Sequence, residues 1–371
     1  NMELFIYNSE LTLLGIVDEI TSLIWTRRYW SCGEFSLLLP VTERHAELIR
    51  TGRYIMRKGD TEAGEISYIS IRRDKNGLEQ MEAQGRFLTH WIGNRIIEPY
   101  IVMTGSSHEL LQTIVRDNLV SPMDVRRKVS NLGITDTGAL VTENVNYASE
   151  QFANALEECT SRAQLAKIGF RIETNIATKS HAFVVYKGAD RTSDQGINRP
   201  CIFSPDFDNI LEQEFSRSTE NVASAIYVGG PAVQDAPRKW TEVSDDTRTG
   251  LDRIEFFYDA SDLAQTYSQD GVEHTIPDPE YVEMLHAQGE QTLARKIEHI
   301  SFSSRIDTHA GLNYRRDYDV GDRVTCVNRR WHVKIDARIT EVVESYESGR
   351  EELHVTFGES LPTLSEKIRG R

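Results

Sequence analysis

The sequence predicts a mainly β protein with an α+β insert, built from two similar antiparallel β domains that carry helical and mixed insertions. Both ends of the chain consist of short runs of alternating apolar and polar residues, which are typical of strands with one buried face. Turn-forming residues separate these runs at short intervals. Longer helical spacing of apolar residues is confined to the middle of the chain and to one segment near its last third.

Residues 2–90 are predicted to form the first β domain. Strands are expected at residues 2–8, 13–30 (one bent strand or a hairpin), 34–40, 52–58, 64–73 and 78–85. Gly33 closes a turn before the third of these, and residues 43–50 form a short helix. Asn76-Gly77 is a strong hairpin signal between the last two strands.

Residues 91–203 differ in pattern and predict an α+β insert domain. Leu110, Leu111, Ile114 and Val115 recur at helical spacing in a helix over residues 107–119. A second helix contains Phe152, Leu156, Cys159 and Ala163, and a strand pair follows at residues 167–174 and 181–187. Residues 121–148 are polar and are interpreted as irregular structure.

Residues 204–371 return to β pattern and predict the second β domain. Strands are expected at residues 211–218, 223–228, 254–257 and 300–306. Residues 231–252 form a polar loop. The clearest helix of the chain is predicted over residues 279–299, inserted within this domain.

The C-terminal part of this domain, Tyr314–Gly358, is predicted to contain four strands separated by turns. Its first turn is Asp319-Val320-Gly321-Asp322. Alternation over Trp331–Val343 indicates a long strand, and the adjacent apolar residues Val342 and Val343 break the alternation and indicate a bulge. Gly358 ends the last alternating run. The expected fold is a small antiparallel barrel or sandwich.

Composition limits the classes of function. A chain of 371 residues is expected to form two or three domains, and a net charge of −15 argues against a protein that grips duplex nucleic acid. Such a charge suits solubility or a pore through which DNA slides. No apolar stretch approaches the roughly 20 residues that cross a bilayer. Four cysteines without a CxxC pair and the lack of a signal peptide predict free thiols and synthesis in a cytosol.

Motifs for catalysis or cofactor binding are missing, so we expect no catalytic, cofactor-binding or metal-binding residues. The sequence has no Gly-x-Ser-x-Gly, phosphate-binding loop or dinucleotide-binding glycine pattern. Asp307-Thr308-His309 and Asp206-Phe207-Asp208-Asn209 resemble fragments of metal sites, but each lacks the remaining ligands and is interpreted as a turn. Glu157-Glu158 and Asp245-Asp246 are interpreted as surface charge.

Several stretches in a fixed order resemble one known family, the tail hub proteins of siphophages, which are distantly related to the central baseplate hub of contractile phages. They cover nearly the whole chain: Ser22-Leu23-Ile24-Trp25-Thr26-Arg27-Arg28-Tyr29, Gly33-Glu34-Phe35, Asn94-Arg95-Ile96-Ile97, Gly188-Ala189-Asp190-Arg191-Thr192, and the C-terminal YRRDYDVGDRVTC, DARITEVVE and VTFG.

This resemblance implies a structural protein of the virion tail tip, made in the cytoplasm of a bacterial host. Two similar β-barrel domains per chain would form, in a homotrimer, a ring of six barrels that continues the tail tube, with DNA only in transit. Expected neighbours are the distal tail protein, the tape measure and receptor-binding or fibre proteins. Some related hubs carry a long C-terminal extension with peptidase or receptor-binding modules, whereas this sequence ends at Arg371, so we expect those activities to belong to docked proteins.

The resemblance also suggests roles for particular residues. Arg27 and Arg28 fall in the first barrel, where subunits meet, and are the candidate interface residues. The residues of the turns and barrel motif are Gly33, Asp319, Gly321, Asp322 and Gly358.

Two other functions remain open from the sequence. A cell-wall hydrolase of the tail tip would use acidic residues of the 100–200 insert as acid and base, and would show a cluster of carboxylates with raised pKa in a cleft. A carbohydrate-binding or adhesin module would show an exposed aromatic platform, for which Trp30, Trp91 and Trp240 are the candidates.

Overall fold

The computed structural model confirms that the protein is mainly β and has several sheets. It describes residues 2–98, 100–136, 140, 142–149, 152–233, 236–244, 247–269, 271–347 and 349–358. Within these ranges there are 24 strands and four α-helices.

The first β unit, defined as β1–β7, begins the chain. Its elements are β1 Leu4–Tyr7, β2 Leu13–Val17, β3 Ser22–Arg28, β4 Glu34–Pro40, α1 Glu43–Leu48, β5 Tyr54–Arg57, β6 Gly64–Arg73 and β7 Glu79–Phe87. The hairpin predicted at Asn76-Gly77 is confirmed, since β6 and β7 pair antiparallel and Gly77 has a φ of +83°. The single strand or hairpin predicted over residues 13–30 is wrong. β2 pairs with β1 whereas β3 pairs with β4, because another strand occupies the second edge of β3.

The middle of the chain mixes helices and short strands. Its elements are β8 Val102–Ser106, α2 Ser107–Val115, β9 Leu132–Ile134, β10 Asn144–Ala148, α3 Ala155–Ala166, β11 Gly169–Asn175, β12 Ser180–Tyr186, β13 Asp190–Arg191 and β14 Ile202–Phe203. Ser106 and Glu109 form a capping box at the start of α2, and the Asn154 side chain caps α3. α3 therefore begins after Phe152, which is exposed and lies outside the helix.

The last part of the chain contains the longest strands. Its elements are β15 Ile210–Ser218, β16 Ala225–Gly229, β17 Trp240–Ser244, β18 Glu255–Asp259, β19 Thr266–Gln269, β20 Val272–Thr275, α4 Asp278–Arg295, β21 His299–Ile306, β22 Arg323–Asn328, β23 Val333–Glu347 and β24 Arg350–Gly358. The second β unit is defined as β15 and β21–β24. The predicted bulge is confirmed two residues earlier than expected, as a register shift between Ile339 and Glu341.

Three sequence predictions are wrong in detail. The irregular segment 121–148 contains β9 and β10, and the loop 231–252 contains β17, because the partners of these short strands lie elsewhere in the chain. No strand begins at Tyr314 within the described residues, where a single bridge joins Tyr314 to Tyr318.

One sheet runs through both β units. Its strands follow the order β15-β21-β24-β23-β3-β4-β7-β6-β5-β1-β2, and β22 joins it through β23. The two units meet where β23 pairs antiparallel with β3 over seven residue pairs, from Glu341 opposite Arg28 to Glu347 opposite Ser22. Among the described strands this pairing forms an open path rather than a closed ring.

Each β unit has its own apolar core. Trp25, Leu37 and Phe87 are fully buried in the first unit, and Phe302 and Phe357 in the second. A third cluster joins the first unit to α2, α3, β11 and β12, and a fourth lies between α4 and the small sheet of β16, β17 and β18. None of the helices in the described ranges combines the length and apolarity needed to span a membrane.

Candidate functional site

The strand β3 carries Arg27 and Arg28 into the contact between the two β units. Neighbouring residues of a strand face opposite sides of the sheet, so the two guanidinium groups have different surroundings. Arg27 is 7% exposed and points between the units, whereas Arg28 is partly exposed. Pairing of β3 with β23 places both arginines beside residues that are about 300 positions away in sequence.

Arg27 binds three side chains from two distant parts of the chain. Its Nε donates to Glu62 Oε2 at 2.7 Å, and its Nη1 donates to Tyr314 Oη at 2.8 Å and to Asp319 Oδ1 at 2.7 Å. Burial by itself would lower the pKa of Arg27, but Tyr314, Glu62 and Asp319 more than offset it and raise this pKa well above its usual value. Burial raises the pKa of Tyr314, so its neutral phenol accepts the hydrogen bond.

A second set of ion pairs surrounds Arg27. Glu344 Oε2 lies 2.7 Å from Arg57 Nη1 and 3.0 Å from Arg315 Nη2, and Arg315 also pairs with Asp60. Burial lowers the pKa of Arg315. The positive charges of Arg27 and Arg57 lower this pKa further, whereas the carboxylate of Glu344 raises it without offsetting the decrease. We call the whole set the junction cluster: Arg27, Arg57, Asp60, Glu62, Tyr314, Arg315, Asp319 and Glu344. Ion pairs of the junction cluster link the first β unit to the second. The backbone hydrogen bonds of β3–β23 link the same two units.

Arg28 makes its contacts on the opposite side of the sheet. Its Nε donates to Glu341 Oε2 at 2.7 Å, its Nη2 to Glu34 Oε1 at 2.6 Å, and its Nη1 to the carbonyl oxygen of Cys32 at 3.0 Å. Burial opposes the charged form, yet the hydrogen bonds to Glu34 and Glu341 raise the pKa of Arg28. Both candidate interface arginines thus have partners within their own chain, and their contact with another subunit stays a prediction.

Tyr29, which was not among the predicted site residues, packs where three segments meet. Its ring is fully buried, and its Oη donates to the carbonyl oxygen of Lys167 at 3.1 Å. The guanidinium of Arg338 lies 5.2 Å from the ring centroid. A Cβ added at Gly169 or Gly321 would come within 2.3 Å or 2.6 Å of the ring, so only glycine fits at these two positions.

The turn Asp319–Asp322 connects the second β unit to the middle of the chain. Asp322 Oδ1 accepts from the backbone N–H of Ala189 at 2.8 Å, and its Oδ2 accepts from Arg191 Nε at 2.9 Å and from the Asp319 N–H at 3.0 Å. Gly321 has a φ of +95°, which the turn requires. The stretch Gly188–Thr192 and the turn therefore form one packed unit.

Besides Gly321, two further predicted motif glycines lie outside the junction cluster. A Cβ at Gly33, in the turn between β3 and β4, would come within 2.5 Å of the Thr26 carbonyl oxygen and of the Phe87 ring. Gly358 ends β24 with a φ of +78°, and its carbonyl oxygen accepts from Thr340 Oγ1 at 2.6 Å. The structure thus brings together Arg27, Asp319, Gly321 and Asp322, and keeps Gly358 apart.

Some of the residues that were missed have a partial signal in the sequence. Tyr29 and Tyr314 stand inside the stretches that carry the family resemblance, so their place in those stretches could have marked them. Glu62 has no local signal, because a carboxylate in a polar loop is common and only the fold places it against Arg27.

The two fragments that resemble metal sites lie in turns, and of the two glutamates interpreted as surface charge Glu157 is exposed whereas the Glu158 side chain is only 15% exposed. Asp307 Oδ1 accepts from the His309 N–H at 2.9 Å, and Asp206 lies in a short 3-10 turn capped by Ser204. Glu158 pairs with Arg162 on α3. No group of three or more His, Cys, Asp or Glu side chains suited to a metal occurs in the described ranges. Asp245-Asp246 lies outside the described residues.

The three candidate tryptophans differ in exposure. Trp30 is half-buried and packs 5.6 Å from Tyr29, ring to ring. Trp91 is also half-buried and donates from its Nε1 to Glu65 Oε2 at 3.0 Å. Trp240, on β17, is 58% exposed.

The fold is that of phage tail proteins. Three solved structures share it over almost their whole length: the tail protein from Neisseria meningitidis (TM-score 0.58, 10% identity, 97% of each chain), the 43 kDa tail protein of prophage MuSo2 from Shewanella oneidensis (0.58, 10%, 96% of this chain and 98% of that one) and prophage tail protein gp18 from Listeria monocytogenes (0.56, 8%, 100% and 98%). No curated protein matches the chain in sequence.

The family follows from the sequence. Residues 3–359 match the model of the Siphovirus ReqiPepy6 Gp37-like protein family, and the chain belongs to this family. The resemblance to siphophage tail proteins is thereby confirmed.

Proposed function

We propose that this tail protein is the structural hub of a siphophage tail tip. Three copies form a ring of six β domains around a channel that continues the tail tube, and the protein has no catalytic activity of its own. The domains are residues 2–90, 91–203 and 204–371, and the first and last of them form barrels in the assembled ring. Its place is the tail tip of the virion.

The observation that carries this proposal is the continuous sheet across the two β units. A ring of six domains from three chains closes only when the two domains of each chain keep a fixed angle. The seven residue pairs of β3–β23 and the junction cluster both oppose rotation of one unit against the other. We assign Arg27 and the turn Asp319–Asp322 to this fixation, and Arg28 to the part of the junction nearest a neighbouring subunit.

Charge supports a channel for DNA. The net charge of −15 disfavours tight binding of phosphates, and a channel wall that repels DNA lets it pass.

The elements from β16 to α4 lie outside the continuous sheet and are the natural places for the distal tail protein, the tape measure and receptor-binding or fibre proteins to dock.

The hydrolase alternative gains no support from the insert. Burial raises the pKa of Asp117, whereas hydrogen bonds lower the pKa values of Glu109, Asp124, Asp190 and Asp194. An acid and base pair needs two carboxylates with different pKa values in one cleft.

Light scattering over a wide range of protein concentration tests the proposal. We expect a mass of three chains, or a rise from one chain to three as concentration increases. A dimer that stays a dimer at every concentration would contradict the ring.

A further inference from the structure

The small sheet of β16, β17 and β18 has one covered and one open face. α4 covers the first face, where Gly289 lies so close to Val228 and Val243 that an added Cβ would come within 2.7 Å of both. The other face carries Tyr227 of β16, Trp240 of β17 and Phe257 of β18, since the register places these side chains on the same side. We call this open side the aromatic face.

Two rings of the aromatic face are exposed, the third, that of Tyr227, is half-buried, and all three are held in place. Trp240 is 58% and Phe257 is 50% exposed, and the centroid of Tyr227 lies 5.9 Å from that of Trp240. An added Cβ at Gly229 would come within 3.1 Å of the Phe257 ring, so the glycine lets this ring lean across β16. Exposed aromatic rings that lie side by side on a rigid sheet form a platform for stacking.

Planar polar groups surround the rings. Arg253 donates to Glu242 Oε1 at 2.6 Å, to Glu255 Oε1 at 2.8 Å and to Tyr227 Oη at 3.2 Å. On the other side of Tyr227, Arg238 lies 5.1 Å from the centroid of Phe257 and binds Asp259. These pairs fix the orientation of the side chains, and their partly exposed carboxylate and guanidinium groups place both acceptors and donors beside the rings.

We propose that the aromatic face is a binding site for a neutral glycan chain. A sugar ring presents an apolar C–H face, which stacks on Trp240 and contacts the exposed part of Phe257, and a rim of hydroxyl groups, which need both donors and acceptors. The aromatic face carries the three carboxylates of Glu242, Glu255 and Asp259 and only the two guanidinium groups of Arg238 and Arg253. This excess of negative charge disfavours binding of an anionic glycan.

A peptide partner fits this face less well. The strand residues of the face, besides the aromatic and charged ones, are Ala225, Gly229 and Ser244, so the described strands provide no aliphatic side chains around a pocket for an apolar anchor. A surface without such a pocket suits the flat side of an extended polysaccharide.

Calorimetric titration with neutral hexasaccharides tests the proposal, using chitohexaose, cellohexaose and maltohexaose as probes. We expect the unaltered protein to bind at least one of them and Trp240→Ala to weaken that binding at least tenfold. Trp331→Ala is the matched control, because Trp331 is 45% exposed in the turn between β22 and β23, and it should bind like the unaltered protein. Equal thermal unfolding temperatures of the variants would show that both are folded.

Three results would overturn the proposal. The first is that the unaltered protein binds none of the three sugars, and the second is that Trp240→Ala binds as tightly as the unaltered protein. A change in the mass of the oligomer in Trp240→Ala without sugar binding would instead assign the face to a contact between subunits. The ring itself does not depend on this face, so light scattering of the unaltered protein tests it separately.

Discussion

Arg27 is the residue with the most connections between the two β units. Its guanidinium is buried with Glu62, and both side chains are less than a tenth exposed. A buried ion pair of this kind adds little net stability by itself, but removal of one partner leaves an isolated buried charge. The value of Arg27 therefore lies in specifying how the two units meet.

Replacement of Arg27 by methionine is expected to lower the free energy of unfolding by about 3–5 kcal/mol, because the buried Glu62 side chain would lose its ion-pair partner. Chemical unfolding followed by intrinsic fluorescence measures the change. The matched control is Arg28→Met, whose pairs with Glu34 and Glu341 are partly exposed, and it should cost about 1 kcal/mol or less.

The double variant Arg27→Met/Glu62→Gln separates charge from packing. A neutral amide no longer needs the guanidinium, so this variant should recover part of the loss. Equal losses for Arg27→Met and Arg28→Met would contradict the role assigned to the junction cluster.

Gly321 provides a second prediction at this scale. Alanine at this position must adopt a φ of +95° and must also come within 2.6 Å of the Tyr29 ring, which is held by neighbours on several sides. Gly52→Ala is the control, with a φ of +80° and no atom within 4 Å of the added Cβ. The control should cost about 1–2 kcal/mol from backbone strain alone. Gly321→Ala should lower the thermal unfolding temperature clearly more than the control does, and equal shifts would show that Tyr29 can move aside.

At the scale of elements, the sequence predicted those parts of the fold whose partners are near in the chain. The hairpin at Asn76-Gly77, the helix that starts at Ser107 and the pair β11–β12 all follow from local alternation, helical spacing or turn residues. The bulge in β23 also follows, because the buried apolar positions change from odd to even numbers between Ile339 and Val342, and one extra residue is needed to keep both on the same face.

The periodicity of apolar residues could not predict which strands pair when they are distant in the chain. Alternation in β3 showed one buried face but did not indicate that β23 lies at its edge, since backbone hydrogen bonds carry no sequence signal. The strands β9 and β10 are only three and five residues long, and they exist only because β12 and β8 pair with them. The candidate site was predicted in part for the same reason: Arg27 and Asp319 were marked, but their ion pair was not.

His181 of β12 links the insert to the first β unit and makes this contact sensitive to pH. Its ring lies 5.0 Å from that of Trp91 and 6.2 Å from that of Tyr54, and its Nδ1 lies 3.0 Å from Thr174 Oγ1. Burial lowers the pKa of His181 from 6.5 to about 4. The folded protein therefore binds this proton only near pH 4, whereas the unfolded chain binds it near pH 6.5.

Stability should accordingly decrease as the pH falls from 6.5 towards 4. The unfolding temperature at pH 7.5 and at pH 5 measures this loss. His181→Gln keeps a hydrogen-bonding group that cannot titrate, so the difference between the two pH values should become smaller in the variant. Part of the difference should remain, because burial also lowers the pKa of His90. An unchanged difference would show that His181 does not control the acid sensitivity.

At the scale of the whole molecule, the chain is one open sheet with attached modules. The junction cluster and the β3–β23 pairing hold the two β units, whereas the insert and the β16–β18 sheet with α4 lie beside them. An open sheet leaves strand edges that a protein must cover, and association with further copies is one way to cover them. The hub proposal assigns this task to ring closure.

Electron microscopy of the purified oligomer tests the central claim most directly. The account predicts class averages with three-fold symmetry, a central hole, and six similar densities around it, two from each chain. A compact particle without a hole, or a ring in which each chain contributes a single density to the wall, would contradict it.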